Sequence, residues 1–404
     1  MLKKKYILIL LSAFFIGIFI KAVSLHASQY PLKKQLVSST GHAMGGDFIA
    51  FYSAGRIYKQ SPDKLYNFEH QHETQQEVFR NAEVKPGVYP FIYPPLVATL
   101  FSSISKFDYL LSYWIWIGLS CAIYIFCVYK IINTTGLKGL EKFTAISFGA
   151  GFLPFTFNCI GPGQTSALGL LIASLVFVFL KKDKHLLAGI ALGFAYYKPP
   201  LFLGLSILFL LKGNFRIIGG AFLSCVTLCL ISIYTIGLDG FFEYLRLASG
   251  YTYGNDIVSA NNLHTKLGVG LYAMIWSTLG QNILVAKPLY LVLFIGLIFL
   301  ALKRTSENNS TWLIILGLGT SLFISPQMVT YDLTLMILPI IVLGKELLQK
   351  NSWMQATVYI CSSVLIALLP MLPVYNSANG HFNTTALAFL LFLLLSFSTK
   401  PRNY

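Results

Sequence analysis

The sequence predicts an all-α polytopic membrane protein, and three observations carry that expectation. Of its 404 residues, 55% are hydrophobic and only 11% are charged, against about 25% charged in ordinary soluble domains. The deficit runs along the whole chain, as long apolar runs separated by short basic clusters. None of these runs alternates with period two as a barrel strand does. Lipid then leaves the α-helix as the spanning structure, because every backbone polar group must be satisfied within the segment.

Twelve apolar runs are expected to be helical: 6–25, 109–130, 143–157, 164–181, 185–197, 200–211, 215–236, 283–302, 311–327, 330–344, 353–371 and 384–398. The first follows the basic stretch Met1–Lys5 and has the outline of a signal peptide. It carries no convincing small-residue cleavage site and continues apolar past Lys21, so a retained first helix is expected. The runs 185–197 and 200–211 hold 13 and 12 residues. At about 1.5 Å per residue each covers roughly 20 Å of a hydrocarbon core near 30 Å. They meet at Lys198-Pro199-Pro200, which places a backbone break at membrane depth; such breaks are tolerated where they line a cavity or are buried in protein.

A thirteenth stretch, 91–105, either crosses the membrane or dips into it. Charge decides. If it dips, the cytoplasmic segments contain Lys3–Lys5, Lys130 with Lys138 and Lys142, Lys181 with Lys182 and Lys184, Lys212 with Arg216, Lys303 with Arg304, Lys345 with Lys350, and Lys400 with Arg402. Every one is basic, most short outward loops carry no Lys or Arg, and Lys198 is a notable exception. If 91–105 crossed, each later cluster would face outward, against the positive-inside rule. The expected topology has both termini cytoplasmic and two long outward loops, 26–90 and 237–282. The whole chain, 1–404, is one integral membrane domain in this scheme, and its setting is the bacterial cytoplasmic (inner) membrane.

The net charge of +15 therefore reads as orientation signal, and nucleic acid is excluded as a partner. Cys121, Cys127, Cys159, Cys225, Cys229 and Cys361 lie in or beside apolar segments with no CxxC pair, which argues against a disulfide framework or zinc site. No internal repeat, low-complexity segment or glycine-rich dinucleotide motif is present. No metal or cofactor is expected.

With orientation assigned, the unusual polar residues fall on the outward side: Asp47 in Gly45-Gly46-Asp47-Phe48, Tyr93-Pro94-Pro95, Gly161-Pro162-Gly163-Gln164, Lys198-Pro199-Pro200, Asn261-Asn262 with His264, and Ser325-Pro326-Gln327 with Tyr331-Asp332. That grouping points to an outward cavity at membrane depth. Each has a plainer alternative. Asp47 could be the N-cap of a helix starting at Phe48. The prolines could be helix starts, and Gln164 a first-turn cap. Asp332 could pair with a Lys or Arg, and His264 could be an ordinary loop residue. Lys198 is the hardest to dismiss, because an ionisable residue inside a membrane is a functional candidate by default. As a cation exposed to the cavity, it is expected to be replaceable by Met without loss of the fold.

A carboxylate and a cation at such a cavity suit a lipid-phosphate substrate. Lys198 would offset charge on a departing phosphate, and Asp47 would take a proton from an attacking hydroxyl. At these same motifs the chain resembles glycosyltransferase family 87. The resemblance rests on Gly46-Asp-Phe-Ile-Ala-Phe-Tyr-Ser-Ala-Gly-Arg56 followed by Leu65-Tyr66, and on Tyr93-Pro-Pro-Leu96. It continues in Gly163-Gln164, Ala188-Gly189 leading to Lys198-Pro199, and Ser325-Pro326 followed by Tyr331-Asp-Leu333. It runs over roughly 40–345, each motif weak alone and fairly specific in order and spacing.

The resemblance implies a GT-C-type membrane fold and a polyprenyl-phosphate-sugar donor, with mannose as the sugar of characterised members. It implies that Asp47 is the general base and that Lys198 lies near the donor phosphate. Tyr331-Asp332 falls where some members place a histidine, so it assigns Asp332 no role. The expected function is transfer of a hexose from a polyprenyl-phosphate donor to a glycan or glycolipid acceptor hydroxyl outside the cytoplasm, with inversion. Tyr93, Gln164, Asn262, His264, Tyr331 and Asp332 would line the substrate cavity. The rivals are a secondary transporter, which shares broken helices at depth, and a non-catalytic lipid-handling protein.

Overall fold

The computed structural model describes residues 2–29, 36–37, 44–80, 89–248, 268–280, 282–305, 309–348, 352–368 and 383–399. Among them there is no strand, and an isolated bridge pairs Gly268 with Val329. Helix α1 (Leu2–Gln29) has 28 residues, roughly 42 Å at 1.5 Å per residue. Ile9, Leu10, Phe14, Ile16 and Ile20 stand exposed on it, as a lipid-facing surface requires.

Between the first two long helices lie α2 (Phe48–Gln60), α3 (Phe68–Val78) and α4 (Pro95–Ser102). Pro95 occupies the first position of α4, where a missing N–H costs nothing. With 8 residues, about 12 Å, α4 is too short to cross a core near 30 Å. Helix α5 (Tyr109–Thr135) starts where Asp108 accepts from the Leu111 amide at 3.0 Å and stops at Gly136, φ 70°.

Helices α6 (Gly139–Ala150), α7 (Leu153–Thr156), α8 (Ser166–Leu180), α9 (His185–Gly193) and α10 (Leu203–Leu211) follow. The expected break between 185–197 and 200–211 is present: 3-10 turns at Phe194–Tyr197 and Pro199–Leu201 flank Lys198 (φ −154°, ψ 70°). Two expectations change. Helix α8 begins at Ser166, so Gln164 lies outside its first turn and caps nothing. The run 215–236 was expected to end in a loop at 237, yet α11 (Phe215–Ala248) continues past it. Gly237 (φ 75°, ψ 169°) supplies a kink that only glycine adopts readily. Beyond it Phe241, Tyr244 and Leu247 turn inward at helical spacing while Asp239, Glu243 and Arg246 face out.

Helices α12 (Leu271–Thr278) and α13 (Ile283–Arg304) come next, then a π-helical stretch Leu313–Leu318 leading into α14 (Gly319–Ile324). A 3-10 segment Thr330–Met336 opens onto α15 (Ile337–Leu348), followed by α16 (Trp353–Leu368) and α17 (Thr384–Ser398). Among the described residues, four of the expected runs fold as helices long and apolar enough to cross a bilayer by themselves, within α1, α5, α11 and α13. The others are shorter or broken. A continuous apolar cluster reaches from Phe15 to Phe397.

The helices share two ends. At one, Lys4 pairs with Glu141 (3.0 Å) and donates to the Leu348 carbonyl (3.3 Å), while Lys142 donates to Asn133 (3.2 Å). At the other, His26 bonds the Thr156 carbonyl (2.7 Å) and the Tyr109 hydroxyl donates to the Met44 carbonyl (2.6 Å). Helices α1 and α5 thus run antiparallel from a basic end to an end that carries the Asp47 loop.

Candidate active site

Two loops are brought together by one face of α5. Tyr109, Tyr113 and Trp116 are spaced i, i+4, i+7, so they point the same way. Tyr109 holds the Met44 carbonyl; Tyr113 donates to Ile160 (3.2 Å) and Gly161 (3.0 Å); Trp116 Nε1 donates to Gly163 (3.0 Å). The loops also join directly, Phe48 N–H to the Pro162 carbonyl at 2.9 Å. Gly45 (φ 72°) and Gly163 (φ 73°) make this approach possible: a Cβ on the first would stand 2.6 Å from the Tyr113 ring, and one on the second 2.7 Å from Phe48 Cβ.

Asp47 sits at the N-cap position of α2 but makes no capping hydrogen bond. Its carboxylate instead accepts from Gln164 Nε2. Asp47 belongs to the loop before α2, outside the long apolar spans. Burial raises its pKa above the ordinary carboxylate value, against the opposing pull of the Gln164 hydrogen bond and the Lys198 charge.

Lys198 forms the second half of the site. Its Nζ donates to both Asp332 oxygens, at 2.8 and 2.7 Å, and lies 4.9 Å from the centroid of the Tyr331 ring, a cation–π contact. Ser166 donates to Asp332 Oδ1 at 3.1 Å. Asp332 is fully buried, while the Lys198 side chain is 11% exposed. Two of the three ammonium protons serve Asp332, which leaves one for a ligand. The alternative of an ion pair for Asp332 is what the structure shows, and Lys198, expected as a cation exposed to the cavity, is tied to a carboxylate that lies wholly out of solvent.

Tyr93 completes the grouping. Its hydroxyl is 3.5 Å from Gln164 Oε1, at the outer limit of a hydrogen bond, and it lies within electrostatic range of Lys198, Asp332 and Asp47. Asp47, Tyr93, Lys198 and Tyr331 all retain accessible surface. The structure therefore brings together Asp47, Tyr93, Gln164, Lys198, Tyr331 and Asp332. Asn262 and His264, with Asn261, lie outside the described residues. Beside that region Val269 N–H donates to the Met328 carbonyl at 2.8 Å, which docks the end of the second loop next to Tyr331. Among the described residues no group of three or more His, Cys, Asp or Glu could hold a metal ion.

Sequence reasoning missed the residues that fix this geometry. Gln71 and Gln75, one turn apart on α3, clamp the segment before Tyr93. Gln75 donates to the Tyr89 carbonyl (2.8 Å) and accepts from its amide (3.1 Å); Gln71 accepts from the Phe91 amide (2.9 Å) and donates to the Leu65 carbonyl (2.8 Å). The Tyr66 hydroxyl donates to Tyr93 itself at 2.8 Å. Both glutamines are buried. The available signal was the i, i+4 spacing of two amides on an otherwise charged helix, and of three hydrogen-bonding aromatics at the start of α5.

Long apolar helices around an ion-paired polar centre define an integral membrane protein with a polar site at one end of its helices. The chain belongs to glycosyltransferase family 87, whose model matches residues 91–326, and it is a membrane glycosyltransferase. The match is narrower than the 40–345 expected from motifs. It includes Tyr93, Gln164 and Lys198 and leaves Asp47, Tyr331 and Asp332 outside. No curated protein matches the chain.

Proposed function

We propose that the protein transfers a hexose, with mannose the first candidate, from a polyprenyl-phosphate sugar to a hydroxyl of a glycan or glycolipid acceptor. The observation that supports this is the grouping of two held charges of opposite sign, each with some accessible surface: a carboxylate fixed by Gln164 and an ammonium fixed by Asp332. In the reaction the acceptor oxygen attacks the anomeric carbon as Asp47 takes its proton. The bond from that carbon to the phosphate oxygen breaks, and the electron pair leaves with the polyprenyl phosphate, whose oxygen accepts a hydrogen bond from the remaining Lys198 proton. One displacement inverts the anomeric centre and needs no covalent enzyme intermediate.

The whole chain acts in this scheme as one integral membrane unit of the bacterial cytoplasmic membrane, with its site on the extracytoplasmic side. That placement follows from the basic end facing the cytoplasm. The direct test incubates purified protein with radiolabelled polyprenyl-phosphate hexoses and membrane-lipid acceptors. Radiolabel transferred to the acceptor supports the proposal. Flux across liposomes without transfer points to a transporter, and neither product nor flux points to a non-catalytic lipid-handling protein.

A further inference from the structure

A cavity lies at the basic end, away from the site. It is a crevice of about 640 Å³ between α1 and α6 on one side and α15 and α16 on the other. Ile7, Leu11, Phe15, Phe148, Ile341 and Ile360 make its walls apolar, and Lys4, Glu141, Lys345 and Ser352 stand at its mouth. We propose that it holds one glycerophospholipid with an anionic head group, an acyl chain inside the crevice and the phosphate beside Lys345.

Depth and charge carry the argument. From Lys4 to Phe15 the crevice follows α1 for eleven residues, roughly 16 Å. That is about half of a 30 Å hydrocarbon core, the depth of one leaflet. An apolar hollow at that level fills with the surrounding solvent, which is hydrocarbon chain.

The mouth selects the head group. Lys4 is committed to Glu141 and the Leu348 carbonyl, which leaves that pair neutral. Lys345 lines the same mouth and makes no ion pair among the described residues. The first turn of α16 begins there, with Ser352 Oγ accepting from the Gln355 amide at 3.4 Å, so the positive end of a 16-residue helix dipole adds to the lysine. Trp353, 63% exposed, stands at the level where tryptophan prefers the head-group region. One unpaired cation above a chain-deep apolar slot matches a lipid of one net negative charge.

The test measures lipid retained by the full-length protein after extended detergent washing, with phosphatidylglycerol and phosphatidylethanolamine as probes and mass spectrometry as the readout. Wild type is expected to keep about one phosphatidylglycerol per chain and to lose phosphatidylethanolamine. Lys345→Gln is expected to lower phosphatidylglycerol retention about fivefold, the factor of a single lysine near an anionic head. Ala356→Phe, which fills the slot, is expected to abolish retention of phosphatidylglycerol. Equal retention of the two lipids by wild type would overturn the proposal, as would unchanged phosphatidylglycerol in Lys345→Gln. If Ala356→Phe does not fold, the charge variant alone decides, because Lys345 is partly exposed and its loss removes no core packing.

Discussion

Lys198 gives two protons to the Asp332 carboxylate, at 2.8 and 2.7 Å, across 134 residues of sequence. The pair joins the break after α9 to the 3-10 segment before α15, and Ser166 at the start of α8 completes the carboxylate's partners. Lys198→Met is therefore expected to do two things. It removes the cation proposed to meet the donor phosphate, and it leaves a fully buried carboxylate without its counter-charge, which costs about 3–5 kcal/mol. Thermal unfolding should show the loss directly. Lys198→Met with Asp332→Leu should recover much of that stability, because replacing both partners by apolar groups leaves no uncompensated charge, while donor use stays impaired. A single variant that unfolds at the wild-type temperature would show that the pair contributes little.

Gln75 bonds both backbone groups of Tyr89. Gln75→Leu keeps approximate volume and strands a donor and an acceptor, each worth about 1–3 kcal/mol when buried and unsatisfied. Hydrogen exchange at the Tyr89 amide should accelerate. If α3 positions Tyr93 for the reaction, activity falls with it; Gln75→Glu, which can still accept from the Tyr89 amide, should preserve the slow exchange of that amide. Unchanged exchange in Gln75→Leu would remove the clamp from the account.

Reporter fusions test the orientation. Residue 60 should report outside, and residues 183, 214 and 305 inside. The structure supports placing the last group together with the basic end: Lys212 donates to the Thr305 carbonyl, and Lys181 lies within electrostatic range of Glu346 near the end of α15. An outside report at 183 would mean that 91–105 crosses the membrane. Residues 255 and 378, expected outside, lie beyond the described residues.

Long helices were legible because lipid imposes a one-dimensional rule: a run of apolar residues must be helical, and its flanking charges set its direction. The break at Lys198 was legible for the same reason, since consecutive prolines stop a helix locally. The continuation of α11 past Gly237 was not, because a glycine followed by Asp239 and Gly240 carries the same local signal as a loop, and only tertiary contacts of Phe241, Tyr244 and Leu247 hold the second half helical. The site was half legible. Ionisable groups in an apolar chain announce themselves, so Asp47, Lys198 and Asp332 stood out. The residues that hold the loops around them did not: Gln71, Gln75, Tyr109, Tyr113 and Trp116 act through backbone groups that no sequence pattern names, and the bond from Gln164 to Asp47 spans 117 residues.

The Gln164 bond also sets a pH dependence. Burial raises the Asp47 carboxyl above its ordinary value, near 3.9. A base must be deprotonated to act, so activity should fall as pH drops through this raised pKa, at a higher pH than an exposed aspartate would give. The hydrogen bond from Gln164 and the charge of Lys198 both favour the carboxylate and oppose the shift. Gln164→Leu removes the first, so the acid limb of kcat against pH should move further upward. A limb that stays in place, at equal protein level, would separate Gln164 from the ionisation of Asp47.

Asp47→Asn decides the mechanism, and the structure makes it a clean substitution. Asp47 makes no side-chain capping hydrogen bond to α2, so the substitution removes none. The contact it does make is an accepted hydrogen bond from the Gln164 amide, and an asparagine carbonyl can accept the same bond in the same place. The fold and the docking of the two loops should therefore survive, and unfolding should occur close to the wild-type temperature. What is lost is the ability to take a proton. General-base catalysis contributes about 10²–10⁴-fold, and kcat should fall by that factor with little change in KM for the donor, because donor binding is assigned to Lys198. Asp332 is a poor substitute base: it is fully buried and its oxygens are already occupied by Lys198 and Ser166. Activity of Asp47→Asn within a few-fold of wild type would thus argue for a base supplied outside the residues described, with Asn262 and His264 marking the loop in which to look.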